Sequence, residues 1–224
     1  EATVTYAFPH TNNGHWNRCH IPILPATGNF TADDYCSTYS HNNESAHPGY
    51  YQVFLQRYGI NAEMTSTLRC AYHRFTFEAG KDKKLIVDLS TSNERIKDWQ
   101  ITQEGENVFT GFQENSEKIY FYAVSNQAIK NIDSIRGESK SLSIVNFANS
   151  KEPLELKIGF SFVSIKNAKE NLEKEIGNKD FPKIRNKATE TWENLLSKIK
   201  VSGDTEKQRW VFYSSLYRSF LWPA

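Results

Sequence analysis

The stretch "FPHTNNGHWNRCHIP", Phe8 to Pro22, holds the densest set of groups able to do chemistry: His10, His15 and His20 with Asn12, Asn13, Trp16 and Cys19. Three imidazoles and a thiol could ligate zinc, but their spacing is unlike the usual paired ligands. The same groups suit a sugar. Amides and imidazoles hydrogen-bond hydroxyls, and an indole stacks on the apolar face of a sugar ring. An ordinary polar loop, whose His and Asn side chains satisfy their own backbone, would carry the same composition. A second polar stretch, "YSHNNESAHPGYYQVFL" from Tyr39 to Leu55, offers Glu44 as a general acid with His41 or His47 as partner. The plainer expectation there is a Pro48-Gly49 turn into a strand that starts at Tyr50, with Glu44 and His41 bracing the loop. "NFT" at Asn29 and "NES" at Asn43 match glycosylation sequons, which are frequent by chance. The sequence has no Gly-rich phosphate loop, no GxSxG and no HExxH.

The frame for these groups reads as strands first and helices after. From Glu1 to about Val163 the apolar pattern has period two or comes in short runs. Tyr51-Val53-Leu55 alternates with Gln52 and Gln56, and Arg69 to Phe77 alternates in the same way. "KLIVDLS", "RIKDWQIT", "NVFTGFQ", "KIYFYAVS", "LSIVNFA" and "LELKIGFSFV" follow, separated by the turns "EAGKDKK", "QEGEN" and "RGESKS". Many short strands with polar hairpins predict a mainly β, antiparallel sandwich. After Val163 the period changes. Ile165, Ala168, Leu172 and Ile176 share a helix face, with Ser164 as its cap and Gly177 as its stop. Ile184, Ala188, Trp192, Leu195 and Ile199 share another.

The last stretch, "QRWVFYSSLYRSFLWPA", is the most apolar of the chain. Thr205 and Gln208 predict a capping box at its start. A wide apolar stripe and a narrow polar face mark a helix buried on most sides. It is too short and polar for a membrane span, which needs about 20 apolar residues. The expectation is that it packs on something large that follows Ala224. A chain beginning on Glu1, without a signal peptide, likewise reads as processed or cut.

At 224 residues the chain can bury a sizeable core, and a net charge of +1 with scattered basic residues gives no sign of a nucleic-acid partner. Abundant Tyr and Phe with a single Met favour an extracytoplasmic β-rich protein. Cys19, Cys36 and Cys70 are too few and too odd for a disulfide framework. Cys19 and Cys36 could pair; buried free thiols are the expected state.

Several of these stretches resemble glycoside hydrolase family 92, the calcium-dependent exo-α-mannosidases. Tyr39–Phe77 is similar to the family block around PGYY and the T-x-T-x-R…HR-x-TF strand that follows it. "SFVSIKNAKENLEKEI" resembles the S-x-x-NA-x-x-NL-x-x-E segment. "WENLLSKIKVSG" and "FYSSLYRSFLWP" resemble W-x-x-x-L and FY-x-x-LYR-x-x-x-x-P, all in family order. His10 and Thr11 match the family's S-H-T-H-L; Pro9, Asn12 and Asn13 depart from it.

The resemblance implies a sandwich of the supersandwich, galactose-mutarotase-like kind over 1–163, a helical linker over 164–203, and the first helix of a truncated (α/α)6 barrel over 204–224. It implies an inverting exo-α-mannosidase, α-1,2-type, acting on mannose-containing glycans in the periplasm or outside the cell. Acid, base and calcium ligands are expected mostly in the barrel, so no catalytic or metal residue is assigned to this chain. His10, on the family match, and Asn12, Asn13, His15 and Trp16, on chemistry and proximity, are the candidate substrate-binding residues. The expected partners are a mannose-containing glycan and the chain's own C-terminal barrel, with a dimer through the terminal helix as a further option. A non-catalytic carbohydrate-binding or structural sandwich is the alternative function.

Overall fold

A computed structural model describes residues 3–10, 12, 13, 16, 17, 19–138, 140–202 and 205–221. The strands are β1 (Thr3–Thr5), β2 (Asn12–Asn13), β3 (Trp16–Asn17), β4 (Ile23–Ala26), β5 (Ser37–Tyr39), β6 (Glu44–His47), β7 (Tyr50–Leu55), β8 (Ile60–Ser66), β9 (Cys70–Thr76), β10 (Lys84–Val87), β11 (Asp98–Gln103), β12 (Val108–Glu114), β13 (Lys118–Ser125), β14 (Ile129–Arg136), β15 (Ser141–Phe147) and β16 (Leu154–Ser161). The helices are α1 (Ile165–Glu175), α2 (Phe181–Leu196) and α3 (Glu206–Leu221).

Eight strands form one antiparallel sheet in the order β11-β12-β13-β16-β9-β8-β7-β6, and four form a second in the order β14-β15-β10-β4. Leu24, Leu85 and Ile144 of the small sheet join Phe75, Phe121 and Leu156 of the large one in a single buried cluster. The mainly β antiparallel sandwich predicted from the alternation is the observed architecture. Eight strands lie outside the predicted runs: β1 to β6, β8 and β14. In β14 isoleucines recur every third residue, at Ile129, Ile132 and Ile135, and a bulge lies between Ile129 and Asn131. The period-two signal is therefore lost, on an edge strand that is mostly exposed. Of the others, β8 has an apolar alternation of only Ile60, Ala62 and Met64, and β4 is a four-residue strand with no polar positions.

The large sheet is covered on its other face too. A second cluster joins Cys70 and Tyr72 of β9 to Leu172 and Ile176 at α1 and to Phe181 and Ile184 of α2. This explains a pattern that simple alternation misses: Cys70, Ala71, Tyr72 and His73 are all buried. Gly159 lets α1 approach, since a Cβ there would collide with the Ala168 backbone. Glu175 clamps the helix end by accepting from the Thr67 hydroxyl at 2.5 Å, the Arg69 amide at 3.0 Å and Arg69 Nε at 2.6 Å. Lys157 Nζ donates to the carbonyls of Gly177 and Lys179, at 2.9 Å each, and so satisfies backbone oxygens past the last turn of α1.

The helix signals act as the sequence suggests. Ser164 accepts from the Asn167 amide, and Gly177 (φ 53°) turns left-handed past α1. Asp180 caps α2, with Pro182 in its first turn. Thr205 and Gln208 form the reciprocal capping box of α3. None of α3's residues is buried; Trp210 is 64% and Val211 60% exposed. Its described contacts with the rest of the chain include the Trp192–Tyr217 ring pair, with centroids 4.7 Å apart, and a hydrogen bond from Tyr213 to the Ile199 carbonyl.

Candidate functional site

The described residues of the Phe8–Pro22 stretch form a pinned antiparallel ribbon. Phe8 and Ile23 exchange both backbone hydrogen bonds, at 2.8 and 3.2 Å, and the His10 amide donates to His20 O at 3.1 Å. Farther out, Asn12 pairs with Asn17 and Asn13 with Trp16. The pairing slips by one residue between Phe8–Ile23 and His10–His20, and again before Asn12–Asn17. Each slip is a bulge on the return strand. They coincide with left-handed residues, Ile21 at φ 48° and Cys19 at φ 56°. A β-branched residue at positive φ is strained by about 1–3 kcal/mol and persists only where its surroundings over-determine it.

At Ile21 they do. Its amide donates to Gln113 Oε1 at 2.7 Å, and its carbonyl accepts from His10 Nδ1 at 2.7 Å. Gln113 is fully buried and donates in turn to the carbonyls of Leu89 and Thr91, at 3.0 Å each. The next anchor is Asn115, whose amide meets His20 Nε2 at 2.7 Å. Residues of β12 and its end thus hold the return strand from below. Neither Gln113 nor Asn115 had any sequence signal, because a lone amide in a strand looks like an exposed polar position.

His10 has a partner that the sequence does not reveal. Its Nε2 lies 2.9 Å from Nε2 of His73 on β9, with the two rings edge to face and Phe160 against His10 at 4.9 Å. Burial pushes the His10 imidazole down to about 4 and His73 well below its ordinary range, so both are neutral near pH 7. Both nitrogens of His10 are therefore engaged inside the protein.

Beside this ribbon opens a cleft of about 770 Å³. Phe8, Pro9, His10 and His73 form one wall, the turn before Tyr50 and the Thr67–Arg69 hairpin another, and Asn167, Asn171, Trp192 and Tyr217 the helical side. Its rim is apolar and open: Leu68 is 90%, Phe162 59% and Val163 72% exposed. No carboxylate lines the cleft among the described residues. Of the candidate binding residues, His10 lines it. Asn12, Asn13 and Trp16 take their places in the backbone of the ribbon tip. His15 lies outside the described residues.

The other candidates are settled locally. Glu44 accepts from Tyr51 at 2.6 Å and pairs with His41 Nδ1 at 2.5 Å, which together hold its carboxyl below the usual range. It is a brace kept ionised, unsuited to proton donation near neutrality. Cys36 and Cys70 are free thiols, and of the three cysteines only Cys70 is buried. Among the described residues no three His, Cys, Asp or Glu side chains gather as for a metal. Calcium takes about 6–8 oxygen ligands, so the described residues do not fit a calcium site. No described helix is long and apolar enough to cross a membrane.

Comparison with known proteins bears on the whole arrangement. The model of the glycosyl hydrolase family 92 N-terminal domain matches residues 1–172, and that of the family 92 catalytic domain matches residues 167–224. A family GH92 α-mannosidase from Bacteroides thetaiotaomicron, solved in complex with mannoimidazole, superposes with a TM-score of 0.83 at 23% identity over 96% of this chain. A family GH92 inverting mannosidase from Bacteroides thetaiotaomicron VPI-5482 gives 0.80 at 24% over 91%, and the family hydrolase ccman5 gives 0.84 at 21% over 97%. At such identities the likeness shows the fold. The chain spans 33%, 30% and 34% of those three structures, about a third of their length. No protein with a curated description matches the sequence. With a family model covering residues 1–172 of 224, the chain belongs to glycosyl hydrolase family 92.

Proposed function

We propose that the chain is the N-terminal part of an inverting exo-α-mannosidase, α-1,2-type, that acts on mannose-containing glycans in the periplasm or outside the cell. Residues 1–163 are its sandwich, 164–203 its helical linker and 204–224 the first helix of its catalytic (α/α)6 barrel. The observation that carries this reading is the cleft. It is walled by a rigidly pinned ribbon, has no carboxylate of its own among the described residues, and opens beside an apolar rim and an uncovered α3. An exposed apolar surface of this kind marks a binding face.

The chemistry follows from the division of labour. Inverting hydrolysis needs an acid that protonates the leaving oxygen and a base that activates water, with the two carboxyl groups roughly 6.5–9.5 Å apart. Both come from the barrel. Calcium, held by barrel ligands, would grip vicinal sugar hydroxyls. The sandwich supplies the facing wall: Asn12, Asn13, His15 and Trp16 meet the sugar, and His10 sets the ribbon's position.

The test is the full-length protein with calcium and an aryl α-mannoside. Release of the β-anomer first, and no turnover by residues 1–224 alone, supports the reading. Turnover by the 224-residue chain equal to that of the full protein overturns it, and a full-length protein that binds mannosides without cleaving them favours the carbohydrate-binding alternative. Trp16→Ala and Asn12→Ala should each cut kcat/KM about ten-fold or more, the equivalent of one lost hydrogen-bond or stacking contact, with the melting temperature unchanged.

A further inference from the structure

We propose that His73 is a positioning residue that, through His10, latches the ribbon of residues 8–23 onto the large sheet and releases it in acid. The latch itself stands apart from the mannosidase reading; only its effect on turnover rests on that reading.

The proton positions on the two rings follow from their partners. The Ile21 carbonyl can only accept, so His10 Nδ1 carries the hydrogen of their 2.7 Å contact. A neutral His10 then has a bare lone pair at Nε2. His73 must therefore donate from its own Nε2 across the 2.9 Å gap. This leaves His73 Nδ1 as a bare acceptor, and that atom is buried without a hydrogen-bond partner. The result is a chain of one polarity, from His73 through His10 to the strained carbonyl of Ile21.

No second protonation state fits. A proton added at His10 Nε2 sets two N–H groups head to head. One added at His73 Nδ1 makes a buried cation with nothing to accept its hydrogen. The elements packed against the pair are the ribbon, β8, β9 and β16. The side chains they present are Met64 and Leu156, which flank His73 across the sheet, and the rings of Phe75 and Phe160. None of these titrates; the titratable groups that share the ribbon and the cleft with the pair include His20, held at Nε2 by Asn115, and His47, Tyr51 and Arg69, and among the described residues the one charge that bears on His73 is that of His10. Acid therefore meets a pair with no place for a second proton, and the contact it breaks is the one between His10 and His73 that seats the ribbon on the sheet.

The test is hydrogen exchange, read by mass spectrometry on the full-length protein at neutral pH and near pH 4, where His10 titrates. In the wild type, peptides covering 8–23 should exchange about ten-fold faster near pH 4, after correction for the intrinsic rate, while β9 and β12 peptides hold. His73→Phe fills the space but donates nothing, so its ribbon should exchange fast at both pH values. His73→Gln can donate to neutral His10 and turn its oxygen toward protonated His10, so its ribbon should stay slow at both. A wild-type ribbon indifferent to acid, or a slow His73→Phe ribbon, overturns the proposal. Should His73→Phe fail to fold, an equal acid response in wild type and His73→Gln overturns it just as well. On an aryl α-mannoside, the ratio of kcat/KM in acid to that at neutral pH should fall less in His73→Gln than in the wild type. Latch behaviour in a protein without turnover overturns the mannosidase reading and leaves the latch standing.

Discussion

His73 and Arg74 are consecutive in β9 and serve opposite faces of the same sheet. Arg74 points to the helices, where it forms a two-pronged pair with Glu63, at 2.7 Å for each prong, and lies 4.5 Å over the Phe181 ring. Glu63 also accepts from Tyr50 at 2.8 Å. Every member of that cluster is held in its ordinary charge state: hydrogen bonding to Glu63 raises the Arg74 guanidinium, and hydrogen bonds from Arg74 and Tyr50 outweigh burial to lower the Glu63 carboxyl. On the other face His73 meets His10 with both rings neutral. One side of the strand is fastened by opposite charges and the other by a single shared proton direction. The first tolerates any pH at which a carboxylate is ionised; the second does not.

The largest test of this contrast lies on the charged side. Arg74→Ala leaves the buried Glu63 carboxylate with the Tyr50 hydroxyl but without its guanidinium, and breaking such a pair costs about 3–5 kcal/mol. Urea unfolding should show it. If Glu63→Gln in the Arg74→Ala background restores less than about 1 kcal/mol, the desolvated charge is not the reason for the loss.

The pH dependence of stability comes next. His10 binds its proton near 4 in the folded state and near 6.5 when unfolded. Between those values the unfolded chain binds more protons, so stability rises with pH across the window. It is complete above about 6.5 and falls as the solution is acidified toward 4, by at most about 1.4 kcal/mol per pH unit for each imidazole. Glu63 and Glu175 have lowered carboxyl pKa values, and their contribution is lost at still lower pH, below the ordinary glutamate value. A flat stability profile between pH 6.5 and 4 would erase the distinction between the two faces.

A smaller effect is expected at Gly159, where an added Cβ meets the Ala168 backbone and α1 must lift. Gly159→Ala should cost about 1–3 kcal/mol, as overpacking does. Faster exchange confined to α1 would locate the damage on the helical face, and no change in melting temperature would show that α1 is not closely seated there. The smallest effect belongs to α3. Trp210→Ser should change the stability of the 224-residue chain by less than about 0.5 kcal/mol, as exposed positions do. In the full-length protein it should cost several times more if the barrel covers that side chain.

The sequence by itself determined the kind of fold and most of its punctuation. Period-two runs from Tyr51 to Val163 made an antiparallel sandwich, because alternate side chains of a strand face opposite ways. Ser164, Gly177 and the Thr205–Gln208 pair placed helix ends, because caps act within one turn of their own residue. These are local rules, legible without knowing what lies across the molecule. Other features depended on partners far apart in the chain. The burial of both faces of β9 required α1 and α2 to return over the sheet. The ribbon at Phe8–Pro22 looked like a free loop because its anchors, Gln113 and Asn115, sit about ninety residues away. The role of His10 was hidden for the same reason. A histidine in a polar stretch reads as a group offered to a ligand. Only the tertiary structure brings His73, 63 residues on, to within 2.9 Å of it. Their contact turns both rings inward, since a neutral imidazole has only one donor and one acceptor to give.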